Sequence, residues 1–285
     1  MDFSKKPFIG MLAFALVLFT MPVGHAVMIL TQLILGETYQ YVGAVLLGLL
    51  GFGALLASLK KKSETTRTFL GLFAGICLWT GFVEFSFVFY ASHLGIPPVI
   101  ENGEVVTKPE YLLIPSTIGI LISIMFYFFL NGQTRCGFFL WFRRLFRLKI
   151  PFTPNTQTKN YAIVTAMETI FVLWAFYIVM MIAYDKDILG DRHWFTYVLF
   201  AGFLVWSIYL ILRLIKYVKV GAAIRYAIPT VVIFWNCVEL LGRWNFYREF
   251  WIEPTKYALE VGLIFTAFAG AILLTVLSSN DKERG

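Results

Sequence analysis

Charge is what this chain has least of. Asp, Glu, Lys and Arg make up only 14% of its 285 residues, where a soluble domain carries about 25%. A sizeable soluble domain is therefore excluded. Cysteine is scarce as well: of three, Cys77 and Cys237 lie in apolar runs and Cys136 in a basic loop. That excludes a disulfide framework and a CxxC metal knuckle. With three histidines no histidine-box set can be assembled, and GxSxG and Walker loops are absent. What the chain has instead is 59% hydrophobic and 18% aromatic residues and a mean hydropathy of +0.75. This is the composition of an all-α polytopic membrane protein.

Crossing the hydrocarbon core takes about 20 apolar residues. Eight segments qualify: 8–35, 41–59, 69–94, 111–130, 161–184, 194–215, 220–241 and 257–277. Lys5 and Lys6 before the first run, and Gly24-His-Ala26 within it, look superficially like a signal peptide. The apolar run nevertheless continues to Leu35, so it reads as an uncleaved first helix.

Lys and Arg in alternate loops set the orientation. With the N-terminus inside, the inner segments hold 18 and the outer ones 6. Acidic residues such as Glu37, Glu101, Glu104, Asp185 and Asp191 fall outside. Eight spans with both termini cytoplasmic, in a bacterial-type inner membrane, is the self-consistent expectation. The same asymmetry accounts for the net charge of +7 without a nucleic-acid partner.

Beyond the fourth span, residues 138–149 interleave aromatics with arginines, as a short helix in the headgroup layer would. Pro151 and Pro154 then open a polar linker, 153–159, that divides the chain into halves 1–150 and 151–285. Ahead of the fourth span, Val99-Ile100 and Val105-Val106 flank Asn102-Gly103, a strong hairpin signal.

The two halves resemble each other. Ile34-Leu-Gly-Glu37 matches Ile188-Leu-Gly-Asp191 at an offset of 154. Applied to Trp79 and Glu84, that offset points to 233 and 238, next to Trp235 and Glu239. Pro109-Glu-Tyr111 likewise answers Pro254-Thr-Lys-Tyr257. Two parallel four-helix repeats are expected, and repeat interfaces often house the working site in transporters.

Charges inside spans are costly and point to function. Glu84 has no basic residue three or four positions away and needs a partner on another helix or a hydrated cavity. Glu239 and Arg243, one turn apart, are placed to pair, with Asn236 extending a polar wall. Glu168, between Thr165 and Thr169, is a candidate step nearer the cytoplasm. His25 sits towards the outer side. A carboxylate–histidine metal site lacks ExxH or HxxxH spacing, and His93, beside Gly95 and Pro97-Pro98, makes a poor second haem ligand to His25. No metal and no cofactor are therefore expected. The deeper Trp79, Trp174 and Trp235 read as packing or as walls for a flat ligand. Trp194, Trp244, Trp251, Tyr247 and Tyr257 suit an interfacial belt.

The leading expectation is a transport or channel-like protein. It would move a proton, cation or small solute through an outward-facing cavity, with Glu84, Glu239, Arg243, Asn236, Glu168 and His25 as binding residues. One alternative is a structural or quinone-binding subunit of a larger membrane complex. Another is a membrane enzyme acting on a lipid or polyprenyl carrier. The partners implied are membrane lipid, companion membrane subunits or further copies of the chain.

Overall fold

The computed structural model describes residues 6–101, 104–130, 137–149 and 160–283. The linker 153–159 and the Asn102-Gly103 turn lie outside the described residues. Seven helices are long and apolar enough to cross a membrane, and the protein is an all-α integral membrane protein with one small hairpin.

The first helix, α1 (Phe8–Leu59), runs for 52 residues. Straight, it would be about 78 Å long, more than twice the ~30 Å hydrocarbon thickness. It is not straight. Gly36 adopts φ +67°, a conformation glycine enters without a Cβ penalty, and the chain turns back there. Met28 and Ala44 consequently share one cluster with Phe85, although a straight helix would hold them about 24 Å apart. The sequence suggests separate spans at 8–35 and 41–59. A single glycine makes the turn instead, because residues 37–40 stay helical.

Next come α2 (Glu64–Leu78), a π-helical turn at Trp79–Glu84, and α3 (Phe85–His93), together one rod of 30 residues. Ser63 starts this rod by accepting a hydrogen bond from the Thr66 amide. The antiparallel pair β1 (Val99–Glu101) and β2 (Glu104–Thr107) follows, as the Asn-Gly signal anticipates. Then α4 (Pro109–Leu113), opened by proline at its first turn, passes through a 3₁₀ turn into α5 (Ile118–Leu130). The short α6 (Gly137–Leu145) realises the amphipathic segment. Its Arg143 donates to the Phe128 and Phe129 carbonyls, 2.8 Å each, and so caps α5.

The second half contains α7 (Tyr161–Tyr184), α8 (Trp194–Leu214), α9 (Val220–Arg243) and α10 (Ala258–Glu283). Asn160 caps α7 through the amides of Ala162 and Ile163, and His193 caps α8. In the most apolar windows, 50% of the α2–α3 rod, 50% of α7 and 61% of α9 are buried by protein, against 11–22% for α4–α5, α8 and α10. The first limb of α1, with Ile9, Ala13, Leu16, Val17 and Thr20 buried at helical spacing, joins that inner group. The centre is thus four helices, with the others around it.

Close packing at the centre rests on small residues. Gly71 and Gly75 of α2 face Ala162, Thr165, Ala166 and Thr169 of α7, and a Cβ on Gly75 would lie 2.8 Å from that of Thr169. Gly36, the hairpin and the 185–193 and 244–257 loops share one end of the bundle, called the hairpin end below. The 60–63 and 215–219 loops and α6 mark the opposite, basic end.

Candidate functional site

The four central helices leave a cavity between them with about 550 Å³ of atom-free space, mouth included. It lies in the half nearer the hairpin end: Tyr177 stands 16 residues into α7 and Glu239 19 residues into α9. Each helix contributes a matching set of side chains. From α1 come Thr20, Met21, Gly24 and His25, and from α7 Leu173, Phe176 and Tyr177. The α2 rod supplies Ile76, Trp79, Thr80 and Glu84, and α9 supplies Val232, Trp235, Asn236 and Glu239.

Four of the six residues singled out in the sequence meet here: Glu84, Glu239, Asn236 and His25. Counted from the start of its apolar run at residue 69, Glu84 falls near mid-membrane, while Glu239 falls in the outer half of its own span. The rod begins at Glu64 rather than Phe69, which carries Glu84 towards the hairpin end and onto the same cavity wall system. Glu168 does not join them. It is half-buried and nine residues before Tyr177, which at 100° per residue puts it on about the opposite face of α7.

Arg243 does not line the cavity either, and it forms an ion pair with Asp191. It lies one turn beyond Glu239, 3.9 Å from Asp191, donating to Thr107 Oγ1 at 3.2 Å and sitting 4.8 Å from the Tyr184 ring centroid. Arg243 thereby ties the hairpin and the 185–193 loop to the end of α9. Glu239 instead accepts from Trp235 Nε1 at 2.8 Å. In place of the pairing inferred from i,i+4 spacing, the hairpin supplies a hydroxyl in Thr107 and the 185–193 loop a carboxylate in Asp191.

Glu84 is buried, with 7% exposure, and its partner comes from another helix. Tyr177 donates its hydroxyl to Glu84 Oε1 at 3.2 Å and lies 3.4 Å from His25 Nε2. His25 Nδ1 is 2.9 Å from the Met21 carbonyl. A carbonyl only accepts, so Nδ1 carries a proton. In a neutral imidazole Nε2 is then an acceptor, like the glutamate, and Tyr177 has one proton to give to two acceptors. One further proton satisfies both contacts, and it can sit at either end. Either an imidazolium donates to the tyrosine oxygen while the hydroxyl donates to the carboxylate, or a protonated Glu84 donates to Tyr177 while the hydroxyl donates to Nε2.

The rings are arranged around this chain. Tyr177 is stacked between Trp79 (centroids 5.6 Å apart) and Tyr111 (5.9 Å). Trp235 lies 6.3 Å from His25 on one side and 5.0 Å from Trp251 on the other. Trp251 and Trp244 are buried (6% and 8% exposed), so they are not the interfacial belt that their loop positions suggest. Trp244 Nε1 donates to the Asp191 carbonyl at 2.8 Å, and Tyr247 donates to the Val238 carbonyl. The 244–257 loop roofs the α9 side of the cavity.

One difference between the two tryptophan–glutamate walls stands out. Trp235 and Glu239 are four residues apart on a regular α-helix, and the indole N–H reaches the carboxylate. Trp79 and Glu84 are five apart, and the intervening turn is π-helical, which accommodates one extra residue. Glu84 goes to Tyr177, and Trp79 Nε1 is left buried without a hydrogen-bond partner among the described residues.

Among the described residues no three of His, Cys, Asp and Glu converge as metal ligands would. His93 is exposed at the end of α3, stacked on Phe89, and is not part of the His25 cavity. No family model, curated protein or solved structure matches the chain. The chemistry of the cavity is therefore read from its own residues.

Tyr177 is the candidate-site residue that sequence reasoning missed. A tyrosine in an apolar run resembles packing. The available signal was its offset from His25, 152 residues, close to the offset of the proposed repeat.

Glu249, in the roof outside the spanning helices, is half-buried against Gly242. Burial pushes its carboxyl from 4.5 up to about 7, with Arg243 opposing the rise. Between those values the folded protein binds more protons at Glu249 than the unfolded chain does, so this group makes stability fall as pH rises. Thermal unfolding followed by tryptophan fluorescence is expected at lower temperature at pH 8 than at pH 5. The gap should shrink in Glu249→Gln.

Proposed function

We propose that the protein is a proton-coupled transporter or channel-like carrier of a small cationic solute, working through the cavity between the two halves. The observation that carries this reading is the Glu84–Tyr177–His25 chain. It is a three-member path in which one proton can occupy either end, set in the wall of a cavity shared by four spans. Intramembrane carboxylates and histidines in such chains characterise pumps and transporters.

The same reading counts eight spans, since each limb of α1 is long enough to cross. It also takes the two halves as parallel repeats. Supporting this, Ile76, Trp79 and Thr80 sit at an offset of 156 from Val232, Trp235 and Asn236, and Glu84 at 155 from Glu239. The single π turn absorbs that one-residue discrepancy. Met21, Gly24 and His25 stand at 152 from Leu173, Phe176 and Tyr177. All of these pairs line one cavity.

Access would alternate between the two ends. The excess of Lys and Arg in the loops of the basic end supports an outer position for the hairpin end, and the cavity lies towards it. The basic end is held shut by Arg225, which bonds Glu64 Oε1 at 2.6 Å and Thr68 Oγ1 at 2.7 Å and lies 4.5 Å from the Tyr161 ring centroid. That cluster joins the α2 rod, α7 and α9 and would have to open for release.

The test is proton flux into proteoliposomes reported by an entrapped pH dye under an imposed potential. Glu84→Gln and Glu239→Gln should each slow the flux by about tenfold or more, the equivalent of about 1.4 kcal/mol. Undiminished flux in both variants, or none in the wild type, would sink the proposal.

A further inference from the structure

We infer that the cavity binds a small organic ammonium ion that also carries an acceptor oxygen. This rests on the transport reading of the same cavity and names its substrate class.

The charge balance comes first. Among the residues lining the cavity are two glutamates and one histidine, and no lysine or arginine. Arg243 is engaged with Asp191, Thr107 and Tyr184. A cation is therefore the complement to the site. Its kind follows from the walls. A hard metal ion needs about six or more converging oxygens. Here Thr20 already donates to the Val17 carbonyl at 2.6 Å, the Asn236 amide nitrogen is taken by the Val232 carbonyl at 2.9 Å, and the remaining wall is largely ring. Trp79, Trp235, Tyr177 and Phe176 surround the two carboxylates. Aromatic faces with nearby carboxylates attract alkylated ammonium groups, whose methyl or methylene surface an alkali ion lacks.

The acceptor oxygen follows from an independent observation. Trp79 is 3% exposed, lines the cavity, and its Nε1 is the buried side-chain nitrogen or oxygen that lacks a partner among the described residues. Its counterpart Trp235 has Glu239. An orphaned buried donor of this kind is costly, and a ligand oxygen would satisfy it. Gly24 gives the ligand room, since a Cβ there would meet nothing within 4 Å.

Isothermal titration of the full chain in lipid nanodiscs tests the inference, with choline as probe. Its neutral isostere 3,3-dimethylbutan-1-ol removes the charge, and tetramethylammonium removes the oxygen. Choline should bind, with the isostere weaker by about tenfold or more. Trp79→Phe, which keeps an aromatic face but loses the N–H, should weaken choline several-fold more than it weakens tetramethylammonium. Gly24→Leu fills the cavity without altering a polar group, and should abolish choline binding while the protein stays monodisperse. No choline binding, equal binding of the neutral isostere, or full binding in Gly24→Leu overturns the ammonium site. A Trp79→Phe variant that weakens choline no more than tetramethylammonium overturns the oxygen contact. Proton flux sensitive to Glu84→Gln without choline binding would leave the transport reading standing and remove this one. Choline binding without flux would do the reverse.

Discussion

Tyr177→Phe should stop proton movement while leaving the bundle intact. The phenylalanine ring retains the stacking between Trp79 and Tyr111, so packing is preserved. What disappears is the one hydroxyl in contact with both Glu84 and His25. A positioned group that passes a proton contributes about a hundredfold or more to rate, and the liposome flux should fall by about that factor. Wild-type and variant unfolding temperatures should stay close, since the lost bonds are partly offset by removing a buried hydroxyl. Flux within twofold of wild type would show that the proton does not travel through Tyr177.

Deleting Phe82 is expected to have an effect of similar size by a different route. The deletion turns Trp79-Thr-Gly-Phe-Val-Glu84 into a tryptophan and glutamate four apart, the spacing of Trp235 and Glu239. A π turn that loses its extra residue relaxes to an α-helix, and residues beyond Glu84 keep their register. Glu84 then comes within reach of the Trp79 indole and leaves Tyr177. The account predicts proton flux reduced to the level of Tyr177→Phe, with a folded protein, because Phe82 is 42% exposed and its removal opens little core. If the deletion variant is folded and transports as the wild type does, the asymmetry between the two walls has no role in transport.

That asymmetry also shows where sequence reasoning reaches its end. The apolar runs, the Asn-Gly hairpin and the arginine–aromatic segment were legible because each is a local pattern with a local physical cause. The tryptophan–glutamate echo was legible as well, and its offset discrepancy of one residue was visible. Its meaning was not, since periodicity arguments assume 3.6 residues per turn and a π turn breaks that assumption. The break between the first two spans was legible in the polar residues that follow Gly36 (Glu37, Thr38 and Gln40); what was hidden is that one glycine turns the chain while residues 37–40 stay helical.

Contacts around the bundle were harder still. Counting residues from a helix end gives depth but not rotation relative to neighbouring helices. Glu168 and Tyr177 lie on about opposite faces of α7, which becomes evident only once one face is known to line a cavity. Arg243 was assigned to Glu239 by the one rule available within a single helix. The hairpin and the 185–193 loop, distant in sequence, supply the partners it takes instead. The polar centre of this protein is assembled from one or two residues per helix, and no single helix displays it.

The central claim is a water-reachable cavity between the two halves, entered from the hairpin end and closed at the basic end. Single cysteines at Thr80 and Asn236, in a background lacking Cys77, Cys136 and Cys237, test it most directly. Intact vesicles of known orientation are treated from either side with a membrane-impermeant thiol reagent. The account predicts that both positions are labelled from the hairpin side and protected from the basic side. Labelling from neither side, or equally from both, would contradict it.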